Sequence, residues 1–242
     1  MKANLYYFPH AGASSLTYKN ICNYIDSEIN VKVLDYPGHG QNIQKPFCKT
    51  LEELLTYLYG TIKQDAVDHV PYFLSGHCIG ALIAYELTRM IAEKNEFELP
   101  KALIISGHGA PNRIASEHLD QRSDDQLLDY LIENNQIDPQ MKNENVRKFV
   151  IDLILNPIRF DSVLYDNYQM GNPAFQLPIR LDVLYGEEDD RFPIDTIQDW
   201  EKYCIYPVEY HVFPGNHYFL QTDEKRYFEE INRFMEYVLK EV

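Results

Sequence analysis

The sequence is short of paired cysteines, of cationic residues and of long apolar runs. Its four cysteines, Cys22, Cys48, Cys78 and Cys204, are scattered without a C-x-x-C spacing. That excludes a disulfide framework and a cysteine-ligated zinc site, and it fits a reducing compartment. Lysine and arginine number 22 against 37 aspartates and glutamates, for a formal net charge of -15. A surface of that sign does not gather phosphate backbones or anionic bilayers, so neither nucleic acid nor membrane is expected as a partner. No run approaches the ~18 apolar residues of a bilayer-spanning helix. The apolar start of the chain breaks at Pro9, too early for a signal peptide. Internal repeats and low-complexity tracts are absent as well. These absences predict a monomeric cytoplasmic protein with no bound metal or cofactor.

What the chain does have is apolar and aromatic mass. Of 242 residues, 45% are hydrophobic, with 19 tyrosines and 12 phenylalanines. That is ample for one large core. Short apolar runs at 4–8, 31–36, 71–74, 102–106, 181–185 and 208–213 read as buried strands. Between them lie segments of helical period. Thr50 and Glu53 form a capping box ahead of Leu51, Leu54, Leu55, Leu58 and Ile62. Ile79, Leu82, Ile83, Leu87, Met90 and Ile91 mark the inner stripe of the next helix. Further helices are expected at about 17–25, 194–203 and 223–242. Repeated strand-then-helix units imply an α/β protein with a mainly parallel sheet flanked by helices. From about 112 to 178 no strand is expected. Two helices there, one opened by Ser123 and a second running on through Arg159 and Tyr165, make a helical lid inserted into a single domain spanning 1–242.

The chemistry centres on Gly76-His77-Cys78-Ile79-Gly80, placed between a strand and a helix. The spacing is that of the nucleophile elbow G-x-S-x-G, with cysteine at its centre. The glycines are needed because a Cβ on either side of so sharp a turn would strike the adjoining strand or helix. A free cysteine is more often a small buried hydrophobe, so the elbow requires partners. A cysteine nucleophile needs a base to take its proton and an acid to orient that base, in the chain order nucleophile, acid, histidine. Asp189 follows one late strand and His217 the next, at the carboxyl ends where such sheets bind ligands. His10, His39, His69, His108 and His118 precede the acid, His77 adjoins the nucleophile and His211 sits within a strand, which leaves His217 as the base. Asp190 is the second choice of acid, and Glu187 and Glu188 read as solvated loop charges. The backbone N–H groups of Ala11 and Ile79 are the candidate oxyanion donors.

Nearly the whole chain resembles the type II thioesterases, stand-alone α/β-hydrolases that accompany nonribosomal peptide and polyketide synthases. Phe8-Pro9-His10-Ala11-Gly12 is similar to the family's F-P-H-A-G loop, Tyr36-Pro37-Gly38 to its Y-P-G turn and the elbow to its G-H-S-M-G. Pro157-Ile158-Arg159-Phe160-Asp161 resembles the lid segment P-x-x-R-A-D, and Phe213 to Phe219 resembles F-P-G-G-H-F-F. The resemblance implies a Cys78–His217–Asp189 triad and a covalent acyl-cysteine. It implies a substrate held as a thioester on the phosphopantetheine arm of a carrier protein, so that an acyl or peptidyl carrier domain is the partner. His10, His77, Phe160 and Tyr218 are candidate substrate contacts, with Tyr165 and Tyr168 as further aromatic candidates.

Three positions depart from the family pattern: Cys78 for serine, His39 for arginine and Asn216 for glycine. Only the first changes the chemistry. An acyl group moving from a carrier thiol to Cys78 stays a thioester of nearly equal energy, so the first step is reversible. A cysteine enzyme therefore also suits acyl or aminoacyl transfer between carriers or onto an amine. A non-catalytic carrier-binding protein is the reading from another class; the retained Asp189 and His217 count against it.

Overall fold

The structure, a computed structural model, describes residues 2–65 and 69–241. Six strands form the sheet: β1 (Ala3–Phe8), β2 (Ile29–Val33), β3 (Tyr72–His77), β4 (Ala102–Ser106), β5 (Arg180–Gly186) and β6 (Val208–Phe213). Their order is β2-β1-β3-β4-β5-β6 and every pairing is parallel. A parallel pair needs a crossover, and the helices that supply it cover both faces. One face carries α1 (Leu51–Asp65) and α2 (Ile79–Lys94); the other carries α8 (Glu224–Lys240).

Alternation along the strands divides the core. In β1, Tyr6 and Phe8 enter the cluster with Leu54, Leu58, Ile83 and Leu87, whereas Leu5 and Tyr7 enter the opposite cluster with Tyr227, Ile231 and Met235. The strand order reverses between β1 and β3, where connections leave toward opposite faces and open a crevice at the carboxyl ends. The loop after β1 and the elbow after β3 flank that crevice.

Local sequence explains most of the elements and several departures. Thr50 Oγ1 accepts from the Glu53 N–H at 3.2 Å, while the Glu53 carboxylate caps the Lys49 N–H at 2.8 Å instead of completing the expected box on Thr50. β3 runs to His77, so half of the elbow is strand. The helix expected at 17–25 is not formed; turns and a short 3-10 helix at Ile21–Asn23 stand in its place. Asn20 and Asn23 are weak helix formers, and Tyr18 is held by a contact of its hydroxyl with His10. The helix expected at 194–203 is α6 (Ile194–Gln198) continued by a 3-10 segment at Asp199–Tyr203. A four-residue turn of helix, α7 (Phe219–Thr222), precedes α8. The expected end of α8 at Val242 lies outside the described residues.

Between β4 and β5 the chain is helical, with α3 (Asp124–Glu133), α4 (Arg147–Val150) and α5 (Asn156–Asp166). Ser123 and Gln126 cap α3 reciprocally. The expected second helix is continuous through α4 and α5 but passes through a π-helical stretch at Ile151–Leu155. Pro157 follows directly; it has no N–H for the carbonyl four residues back, and its ring crowds that carbonyl, so the ladder widens. Leu127, Leu128, Leu131, Val150, Leu155 and Ile158 give this insert a small core of its own. Among the described residues, no helix is long and apolar enough to cross a membrane.

The elbow depends on two close approaches. A Cβ on Gly80 would lie 2.1 Å from the carbonyl oxygen of Phe8, and one on Gly76 would lie 2.3 Å from that of Gly80. Both obstacles are backbone, which cannot swing aside. Gly80→Ala is expected to destabilise the protein by at least ~2 kcal/mol, the scale of overpacking in a rigid core, measured by chemical denaturation. A variant as stable as wild type would show that α2 is free to move off β1.

Candidate active site

Cys78 caps α2 with φ +57° and ψ -124°, a conformation that costs a non-glycine residue of order 1–3 kcal/mol. Its N–H donates to the Ser106 carbonyl at 2.9 Å, which ties the turn to β4. Ile79 opens α2, and Ala11 lies in the loop after β1. Among the described residues, neither of their amide groups is engaged in a hydrogen bond. Both line the same cavity as Cys78 and His217.

The loop after β5 holds the carboxylate. Asp189 Oδ1 accepts from the N–H groups of Arg191 at 3.0 Å and Phe192 at 3.4 Å, and Oδ2 accepts from His217 Nδ1 at 2.9 Å. Two fixed backbone donors aim the acid, and the acid fixes the imidazole tautomer. His217 Nε2 is buried and, among the described residues, has no hydrogen-bond partner. Asp190 is exposed, as are Glu187 and Glu188, so the choice of Asp189 as the carboxylate facing His217 agrees with the geometry.

Burial alone would lower the His217 imidazole. The negative charge of Cys78 and the hydrogen bond to Asp189 outweigh it and raise the ring to about 9. Burial acts the other way on Asp189, but the hydrogen bond to His217 and the two backbone donors hold its carboxyl below the usual range. The His217 contribution to stability is thus present in full below 6.5 and lost as pH rises through about 9; the Asp189 contribution is present above 3.8 and lost as pH falls through the depressed value.

The cavity over Cys78 has about 610 Å³ of empty space, including the part open to solvent. His10 and Tyr218 belong to its wall, together with Tyr165 and Arg191. His10 is buried, with its Nδ1 2.5 Å from the Tyr18 hydroxyl, and burial pushes it down to about 4. The other two candidate substrate contacts stand elsewhere. His77 is fully buried beneath the elbow, with Nδ1 2.9 Å from Ser106 Oγ, because strand alternation turns it away from the cavity that Cys78 faces. Phe160 is 43% exposed and stacks on Phe47 at 4.0 Å on the outer side of α5. Tyr168 also lies outside the wall, donating to Glu86 at 2.6 Å.

Two polar groupings, one part-buried and one buried, were not foreseen. Arg191 Nη2 donates to the Tyr218 hydroxyl at 2.7 Å and to Tyr130, while Nη1 pairs with Glu117 at 2.8 Å, so the acid loop is fastened to the insert. His39 Nε2 meets Asp161 Oδ2 at 3.0 Å, and the same oxygen accepts from the Gly12 N–H at 2.8 Å. Burial would lower His39, but Asp161 raises it. Histidine at position 39 thus still meets Asp161, and the pair joins the loop after β1 to α5. Only tertiary structure brings these partners together. The P-x-R-x-D run Pro157–Asp161 in the insert was the one signal for Asp161.

A family profile for the thioesterase domain matches residues 3–237. The chain belongs to the thioesterase domain family. Among curated relatives, this thioesterase is 26% identical over 213 residues to a probable cadicidin biosynthesis thioesterase of Streptomyces griseus, covering 88% of this chain and 57% of that protein. The chain thus spans little more than half the length of that relative. It is 24% identical over 219 residues to thioesterase TesA of Mycobacterium marinum, covering 90% of this chain and 85% of the relative. The crystal structure of ClbQ from the colibactin NRPS/PKS pathway shares the fold, with a TM-score of 0.87 at 22% identity over 98% of each chain. The α/β-hydrolase architecture with its six-stranded sheet is thus common to this thioesterase and that enzyme.

The field of Cys78 on His217 is open to measurement. In Cys78→Ala the imidazole is expected to titrate back toward 6.5 or below, from about 9 in the wild type, followed by NMR of the His217 ring. An unchanged titration would mean that the thiolate is not what charges the histidine.

Proposed function

We propose that this thioesterase hydrolyses acyl or aminoacyl groups held as thioesters on the phosphopantetheine arm of carrier protein domains in nonribosomal peptide or polyketide assembly. The observation that carries the reading is Cys78 raised on a strained elbow in the wall of a cavity, beside a His217 ring already oriented by Asp189. Relatives such as the gramicidin S biosynthesis protein GrsT and phenyloxazoline synthase MbtB favour that substrate class. The protein needs no cofactor of its own for this reaction. It acts as a monomer in the cytoplasm, with neither nucleic acid nor membrane as partner.

In the proposed mechanism the Cys78 thiolate attacks the thioester carbonyl, and the oxyanion is met by the N–H groups of Ala11 and Ile79. The imidazolium at His217 gives its Nε2 proton to the departing phosphopantetheine sulfur as the carbon–sulfur bond breaks. An acyl-Cys78 thioester remains, facing a neutral imidazole. His217 Nε2 then takes a proton from water as the oxygen adds to the acyl carbon. Collapse expels the Cys78 thiolate and leaves a free acid, with the ion pair restored. Asp189 keeps Nε2 facing the reaction throughout.

Cysteine favours a second reading, transfer to another carrier thiol or an amine, because its acyl-enzyme is itself a thioester. Carrier loaded with an acyl group and mixed with the enzyme is expected to release free acid. Cys78→Ala should lower the rate by at least ~10³-fold, and Asp189→Asn by ~10²–10⁴-fold. Full activity in Cys78→Ala would overturn the assignment. An acyl-enzyme that waits in buffer and discharges only on adding unloaded carrier or amine would decide for transfer.

A further inference from the structure

On the sheet face covered by α8, away from the reaction cavity, β5 carries an acidic residue, Asp182, among the apolar positions Leu181, Val183 and Leu184. Asp182 is fully buried, and among the described residues neither of its carboxylate oxygens completes a hydrogen bond. A buried carboxylate whose one close polar neighbour is an imidazole nitrogen is costly to keep in a core. Its strand register explains what stands beside it. Asp182 is directly opposite Glu209 on β6, and His211 is two residues further along the same strand, so all three side chains share one face. His211 Nε2 lies 2.8 Å from Asp182 Oδ1, yet it too is without a hydrogen bond by geometry. His211 Nδ1 faces Glu230 Oε1 at 3.2 Å, and Glu230 is in turn held through both oxygens by Arg233 at 2.9 and 2.7 Å.

We propose that Asp182, Glu209 and His211 form a binding site for a divalent transition metal ion, zinc in the first instance, that clamps β5 to the edge strand β6. One ligand atom from each residue lies within 4.8 Å of the others, a spread that small side-chain rotations close around one ion. Zinc takes imidazole nitrogen and carboxylate oxygen at ~2.0–2.2 Å and is usually four-coordinate, which leaves a position for water on the exposed Glu209 side. An imidazole nitrogen with two carboxylates is a donor set that zinc accepts. The charges also close: two carboxylates and a neutral imidazole balance a dication, whereas a proton on His211 would leave one carboxylate uncompensated. Glu230 has the place of the outer carboxylate that orients a ligating histidine, with Arg233 neutralising it. Asp182 and the pair Glu209-x-His211 lie on separate strands, so the sequence carries no contiguous metal motif.

The test uses zinc chloride and full-length protein stripped of metal with a chelator. It is run in a Cys78→Ala background, so that the active-site thiol and His217 do not bind the ion together. Competition against a chromophoric chelator is expected to show one zinc per chain, with a matching rise in melting temperature. Glu209→Gln, at an exposed position that the apo fold does not need, should weaken binding by at least ~10-fold, and His211→Ala by more. Glu230→Gln should weaken it less than either. Failure to bind zinc below ~10 μM, or binding that Glu209→Gln and His211→Ala leave unchanged, would overturn the proposal.

Discussion

The start of α2 lies so close to the end of β1 that the Gly80 backbone rests on the Phe8 carbonyl with no space for a side chain. From that contact follow the position of the elbow, the positive φ of Cys78 and the approach of the Ile79 N–H to the loop bearing Ala11. Neither amide belongs to the same stretch of chain as the other. They share a cavity because β1 and β3 are neighbours at the point where the strand order reverses. The rigid part of the sheet thus holds one half of the site, while the loops after β5 and β6 bring Asp189 and His217 from the other side.

Charge is then managed by burial. His217 is a cation in a place that disfavours cations, sustained by Cys78 and Asp189. His10, equally buried and without an adjacent carboxylate hydrogen bond, is driven neutral. Two histidines in one cavity wall therefore have different states. Around them, Arg191 with Glu117 and His39 with Asp161 fasten the helical insert to the loops that wall the cavity. Movement of the insert away from the cavity has to strain or break those ties, so the polar contacts that order the cavity also oppose its opening.

Much of this arrangement was legible in the sequence because it rests on local signals. Residues 102–106 and 208–213 form the strands expected of their apolar runs, and Ser123 caps the helix it was expected to start. The order of elbow, acid and histidine was readable because each follows its own strand at the carboxyl end of a parallel sheet. What failed was governed by tertiary contacts. The segment around Tyr18 has helical spacing but is pinned to His10, and the π-helical stretch before Pro157 has no periodic signature. His77 and Phe160 were expected at the substrate, yet strand alternation buries the first and stacking on Phe47 turns the second outward. The roles of Arg191 and His39 depend on partners far away in the chain, which no spacing reveals.

The central claim is that the acyl group passes through the sulfur of Cys78. Rapid quenching of the enzyme with acyl-loaded carrier, followed by peptide mass spectrometry, tests it most directly. The account predicts a transient mass increment equal to the acyl group on the peptide that contains Cys78, absent from Cys78→Ala. Release of free acid at the full rate with that peptide unmodified at every quench time would contradict it.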